Sequence, residues 1–180
     1  MAAFPTTVGI QSMTMRLRSA TAMTESVFTY DQQVFSHPGV RWEAEVTLPP
    51  MTRAQAKEYE GFFAGLRGMK ETFTMGNPLH NVSVTGTITG SANATQVTEA
   101  LSGTFVVGDY FSLSDTLYII TEIVNSTTIK IMPPLRTAVT NATADFTYPL
   151  GTWRLASNEI GWNINEASIY GFSFACIEAL

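Results

Sequence analysis

The chain has 180 residues, 45% of them apolar and only 14% charged, with a formal net charge of −5; this is the composition of a globular protein with one good core or two small ones, and it excludes a disordered polymer. Residues 1–80 carry seven basic and seven acidic side chains, whereas residues 81–180 carry three against eight. That balance argues against a phosphate-backbone partner, whose binding depends on Lys and Arg, and the single cysteine, Cys176, excludes an internal disulfide or a cysteine-cluster metal site.

At the N-terminus no basic cluster precedes an apolar run, and no stretch has membrane-spanning length, so the expectation is a chain made and kept in cytosol without a membrane partner. Ser12 to Arg18 alternates Met13, Met15 and Leu17 with Thr14, Arg16 and Arg18, the period of a strand with one face covered. Ser19 to Glu25 reads as a polar connector, Val27 to Phe35 as a strand, and His37-Pro38-Gly39 as a turn. Arg41 to Leu48 reads as a further strand, with Trp42, Ala44, Val46 and Leu48 on one face and Glu43 and Glu45 on the other, stopped by Pro49-Pro50. Thr52 with Gln55 three residues on has capping-box spacing. Ala56, Tyr59, Phe62, Phe63 and Leu66 then recur at helical spacing, which predicts one amphipathic helix with these five as its core stripe, Arg53, Lys57, Glu58, Glu60 and Arg67 on its other faces, and Gly68 at C′. Phe73 and Met75 restart a strand.

Past Gly76-Asn77-Pro78 the character changes. Ser83 to Thr147 is threonine-rich, poor in basic residues and broken by turn formers, with Gly86 and Gly90 read as turns. Phe105 to Val107, Tyr110 to Leu113, Leu117 to Val124 and Thr128 to Met132 read as short strands, joined at Gly108-Asp109, Ser114-Asp115 and Asn125-Ser126 and stopped at Pro133-Pro134. This interval predicts a small barrel of the OB or SH3-like kind. From Leu150 aromatic strand patterns return: Trp153 with Leu155, Trp162 with Ile164, then Tyr170, Phe172, Phe174 and Cys176. Three such strands need a partner surface larger than the small barrel. The expected organisation is therefore mainly β: a discontinuous helix-bearing domain from residues 1–82 and 149–180, with residues 83–148 inserted as the barrel.

Convergent chemistry is sparse. His37 and His80 sit beside turns and lack metal-pair spacing, and Asp109 and Asp115 lack the ligand series of a calcium loop. Glu43 and Glu45 share a strand face, as a two-carboxylate hydrolase would require, but a solvent or partner face is the simpler reading. Cys176 fits a buried strand position. No nucleophile elbow, phosphate loop, dinucleotide fingerprint or zinc-protease motif occurs, so no catalytic residue, cofactor or metal is assigned. Sequons at Asn81, Asn93, Asn125 and Asn141 follow from the Thr- and Asn-rich composition. Tyr110, Phe111 and Tyr118 could serve the barrel as glycan-stacking platforms or form its core.

The blocks Arg41-Trp-Glu-Ala-Glu-Val-Thr-Leu-Pro-Pro-Met-Thr-Arg-Ala-Gln-Ala and Phe62-Phe63-Ala-Gly-Leu-Arg-Gly-Met resemble tail proteins of long-tailed bacteriophages and prophages. So do Gly108-Asp-Tyr-Phe-Ser-Leu, Leu117-Tyr-Ile-Ile, Met132-Pro-Pro-Leu-Arg136 and the ending from Tyr170. The group is identified as the distal tail, or baseplate hub ring, proteins. The resemblance implies a tail-tube-like β-sandwich with one helix, some members adding an outer barrel, assembled in the host cytoplasm into a hexameric ring of the virion tail. Such a ring would join the tail tube protein to the tail-tip hub protein around a lumen for the tape measure protein and for DNA passing without specific binding. Side fibres are a further implied partner. Glu43 and Glu45 are the candidates for a lumen or inter-subunit face, and Met13, Met15 and Met23 either form ring contact or fill the core. The alternatives are a carbohydrate-binding tail-tip module using the barrel aromatics, or another tube or terminator protein of the same tail.

Overall fold

Met13, Met15 and Leu17 do lie along one strand, but that strand runs on to Glu25 and, with its partner, builds a hairpin far longer than the sequence pattern predicts. In the computed structural model, residues 1–77, 80–164 and 169–180 are described; Pro78 of the expected boundary turn lies outside them. The first part of the chain forms β1 (Ala2–Ala3), β2 (Ser12–Glu25), β3 (Gln32–Thr47), β4 (Met51–Thr52), the helix α1 (Arg53–Leu66) and β5 (Phe73–Gly76). The middle forms β6 (Thr85–Gly90), β7 (Gln96–Ser102), β8 (Tyr110–Leu113), β9 (Thr116–Asn125), β10 (Thr128–Met132) and β11 (Val139–Thr143). The last part forms β12 (Leu150–Leu155), β13 (Trp162–Ile164) and β14 (Ile169–Glu178). The fold is mainly β, with two sheets and one helix.

Three of the expectations fail together at the hairpin. Ser19 to Glu25 is strand rather than connector, residues 26–31 are the turn rather than the start of a strand, and His37-Pro38-Gly39 is a bulge inside β3 rather than a turn. The register gives the bulge directly: Ser19 faces Val40 and Thr21 faces Ser36, so Ala20 alone opposes three residues. A bulge tolerates a proline that cannot donate to the ladder. At Gly39 a Cβ would come within 3.3 Å of the Ala20 side chain. The pattern misleads because alternation marks a strand only where one face is covered; from Ala20 to Phe35 every residue but Ser26 is exposed, and neither face is.

The first sheet is eight-stranded, in the order β1-β5-β12-β14-β3-β2, with β4 and β13 pairing the N-terminal end of β14. Its apolar face carries Trp42, Ala44, Val46, Phe73, Met75, Trp153, Phe174 and Cys176. Helix α1 closes that face. Gln55 Oε1 accepts from the Thr52 amide at 3.0 Å and hydroxyl at 2.9 Å, so the N-terminus is fixed as its spacing predicts. Ala56, Tyr59, Phe63 and Leu66 are buried, whereas Phe62 is only half-buried, edge-on to Phe4 and Phe73. The left-handed turn ending α1 begins one residue earlier than expected, at Arg67, and continues through Gly68. Phe63 stacks on Phe172 at 5.9 Å and meets Phe174 edge-on at 5.0 Å, contacts worth about 1 kcal/mol each beyond their burial.

The middle strands form a separate six-stranded sheet, ordered β11-β6-β7-β10-β9-β8. It curls until Ser112 and Asp145 exchange backbone hydrogen bonds of 2.9 and 3.0 Å just beyond the end of β11. Gly86 and Gly90 belong to β6, not to turns, and Phe105 to Val107 is not strand. Gly86 is required where it stands, since its φ is +147° and a Cβ there would meet the Ala100 carbonyl oxygen at 2.1 Å. The interior holds a second core that includes Ile88, Val97, Phe111, Tyr118, Ile129 and Phe146.

Candidate functional site

Chemistry that binds or turns over a small molecule needs groups that converge, and the described residues contain no set of three His, Cys, Asp or Glu placed to hold a metal ion. Glu43 and Glu45 share the polar face of β3, each beside an arginine. Arg16 Nη1 is 2.8 Å from Glu45 Oε1, while Arg41 Nη2 and Arg18 Nη1 lie 2.8 and 3.5 Å from Glu43 Oε1. The hydrogen bond from Arg41, aided by the charges of Arg41 and Arg18, holds the Glu43 carboxyl below the usual carboxylate range. A general acid needs the opposite shift. What the pair builds is a charge-compensated strip across β2 and β3 on the face opposite the core, with Thr47, Ser173 and Ala175 beside it in register.

Phe111 and Tyr118 are core residues, which corrects the glycan-stacking alternative for these two. Phe111 is fully buried, stacked between Tyr118 at 5.5 Å and Phe146 at 5.2 Å. Tyr118 is buried too, its hydroxyl accepting from the Arg136 amide, and desolvation raises its pKa. Tyr110 is half-buried between the sheets, tilted against Trp42 at 5.8 Å and edge-on to His80 at 5.6 Å. A sugar ring would have to displace those neighbours.

That seam is a built joint. Trp42 Nε1 donates to the Leu117 carbonyl at 2.9 Å, and Leu117 is buried in the core of the first sheet. Arg136, just past β10, donates twice to Glu178 of β14 and once, at 2.6 Å, to the Val40 carbonyl. Glu178 in turn accepts from the Trp42 amide at 3.0 Å. Sequence reasoning missed this cluster. Its one signal was a glutamate at the end of an otherwise apolar strand, close to Cys176.

The other unforeseen feature is the free half of the hairpin. Beyond the bulge, Met23 pairs with Val34 on one face and Ala22 with Phe35 on the other, so apolar side chains stand on both. At the tip Val27, Phe28 and Tyr30 are 83%, 94% and 74% exposed. The turn is nonetheless ordered: Ser26 N donates to the Asp31 carbonyl and Tyr30 N to the Ser26 carbonyl, both at 2.9 Å. Six strand residues, Ala20 to Glu25, lie between Ser19 and the tip, five of them paired with β3, a projection of roughly 20 Å.

Among the described residues β2 is also the last strand of its sheet, and its outer row of backbone groups has no partner strand there. Arg16 and Arg18 guard the basal half of that edge, as charges commonly do, while the distal half bears no charge until Glu25. Of the ring-contact candidates, Met23 stands on this exposed part, and Met13 and Met15 are half-buried against the core. The structure therefore separates them. Among the described residues no helix is long and apolar enough to cross a membrane. No protein-family model matches the chain, and no curated protein matches it.

Proposed function

We propose that this chain is a structural subunit that closes into a ring through its sheet edge and projecting hairpin, and that the ring is a distal tail ring of a long-tailed phage or prophage. The observation that carries the first half is the hairpin beyond the bulge. It is an ordered two-stranded ribbon with an open outer edge and exposed apolar side chains on both faces, with nothing among the described residues packed against them. Left bare, such an edge templates aggregation; covered by a copy of itself in a closed ring, it leaves no strand unpaired. The second half rests on the resemblance of the blocks from Arg41 onward, which fall on β3, α1, β8, β9 and β14, elements of both sheets.

In this reading the partners are further copies of the chain, six in the ring, with tube protein on one side and hub protein on the other. The lumen would pass tape measure protein and DNA. Glu43 and Glu45 suit a lumen wall because each is neutralised by a neighbouring arginine, so the strip has little net charge with which to hold DNA.

Electron microscopy of the overexpressed protein, and of virions labelled on this chain, tests both halves. Closed six-fold rings at the distal end of a tail tube are the expected result. Label along the whole tube or at its head-proximal end would move the chain to a tube or terminator role. A protein that stays monomeric and is absent from particles would remove the proposal.

A further inference from the structure

A groove of about 410 Å³ lies beside α1, lined by Ala2, Gly61, Phe62, Gly65, Leu66 and Thr72 among others. Gly61 and Gly65 stand one above the other on the exposed side of the helix, and a Cβ at either would meet nothing within 4 Å. Each glycine in a helix interior costs about 1 kcal/mol relative to alanine. Nothing inside the molecule requires that cost; a surface that comes close from outside would. On the ring reading above, we infer that the hairpin tip of one copy seats in this groove on the next, with Phe28 lying against Gly61 and Gly65.

Three relationships favour this occupant. The groove borders β1, at the end of the sheet order opposite β2, so hairpin and groove are distinct surfaces at opposite ends of one sheet. Distinct complementary surfaces give head-to-tail contact, the kind that closes rings of more than two copies. The tip is shaped as a knob: Phe28 is at the apex of a turn already held by its own hydrogen bonds, so little order is lost when it docks.

Charge also matches. Glu25 and Asp31 bracket the tip, and the row of α1 that contains Gly61 and Gly65 continues toward the N-terminus as Lys57 and Arg53. Both basic residues are exposed, and among the described residues neither makes an ion pair. Glu71 also lines the groove, and Glu58 and Glu60 stand on other faces of α1. The tip's acidic pair therefore finds its complement in the row of Lys57 and Arg53.

The test uses the full chain with Cys176→Ala, so that only introduced thiols react, carrying Phe28→Cys and Gly65→Cys together. A short bismaleimide should convert the assembled double variant into a ladder of covalent oligomers, while each single variant yields at most a dimer. Rings seen by microscopy without a ladder would overturn this contact and leave the ring reading in place. A chain with Phe28 and Gly65 intact that stays monomeric at every concentration would overturn both. Gly65→Trp gives an independent readout, since its side chain fills the groove from an exposed helix position. The concentration needed for assembly should rise at least tenfold with Tm not lowered, and unchanged assembly would overturn the contact.

Discussion

Arg136 holds Glu178 through a two-point contact, Nη2 to Oε2 at 2.7 Å and Nε to Oε1 at 3.2 Å; Arg136 lies in the loop between β10 and β11 of the curled sheet, and Glu178 ends β14 of the first sheet. The Glu178 side chain is only 6% exposed and that of Arg136 22%. The same guanidinium donates to the Val40 carbonyl, and the same carboxylate accepts from the Trp42 amide. One ion pair thus ties the curled sheet to the inner end of β3, just where the free hairpin begins.

Removing the arginine should cost more than the pair itself contributes, because a buried carboxylate is left facing one amide. Arg136→Ala is expected to lower unfolding free energy by about 3 kcal/mol. Glu178→Gln, which keeps an oxygen for the Trp42 amide, should cost less. Urea midpoints at constant slope would read both. A loss below about 1 kcal/mol for Arg136→Ala would mean that the seam holds without the pair.

Glu43 sets an acid limit. Its carboxyl is held below the ordinary value by the Arg41 hydrogen bond, so the folded state binds this proton less readily than the unfolded chain. The resulting stability is fully present above the unfolded carboxylate range and is lost as pH falls through the lower folded value. Wild-type Tm should therefore fall below about pH 4.5, and Glu43→Gln should show a shallower acid limb. Parallel limbs in the two proteins would show that the strip contributes nothing through this residue.

Tyr59 ties the segment ahead of β2 to the helix. Its ring is fully buried, while its hydroxyl donates to the Val8 carbonyl at 2.7 Å and accepts from the Val8 amide at 3.1 Å. Tyr59→Phe keeps the ring and removes these bonds together with the longer one to the Pro5 carbonyl at 3.2 Å, for an expected loss of about 1 to 2 kcal/mol. Hydrogen exchange at Val8 should accelerate far more than at Phe174 in the core. Equal acceleration at both would assign the loss to global stability rather than to the tether.

How much of this was legible follows from where a face is covered. The helix could be placed from Thr52, Gln55 and the Ala56-to-Leu66 stripe because capping and burial leave marks at fixed spacing. β14 was legible from Tyr170, Phe172, Phe174 and Cys176, which line one face against α1. β6 and β7 were not, since threonines and Gly86 blur an alternation whose buried members are Ile88, Val97 and the charged Glu99. The hairpin was misread for the opposite reason. Val27, Phe28, Val34 and Phe35 look like core residues in sequence, and only the fold shows that nothing covers them. Tyr110, Phe111 and Tyr118 could be named in sequence but not assigned between core and surface, because alternation does not say which face of a small barrel points inward.

Cys176 offers a check on whether the β3 and β14 pairing opens by itself. It sits opposite Ala44 in register, almost wholly buried, and desolvation pushes its thiol up to about 12, against the lowering effect of a backbone hydrogen bond with Ala44. At pH 8 the native thiolate fraction is then about one in ten thousand, and the residue is 1% exposed. Labelling by a thiol-specific disulfide reagent should be at least a thousandfold slower in the native protein than in urea, and its rate should rise with urea in step with global unfolding. Native labelling within seconds would instead place a local opening at this pair. The alkaline side carries the same information. The unfolded thiol ionises first, so stability is retained below its ordinary value and declines as pH rises from there toward the folded value of about 12. Cys176→Ala should lose stability from its small cavity at neutral pH, yet lose less than the wild type does between about pH 9 and 11.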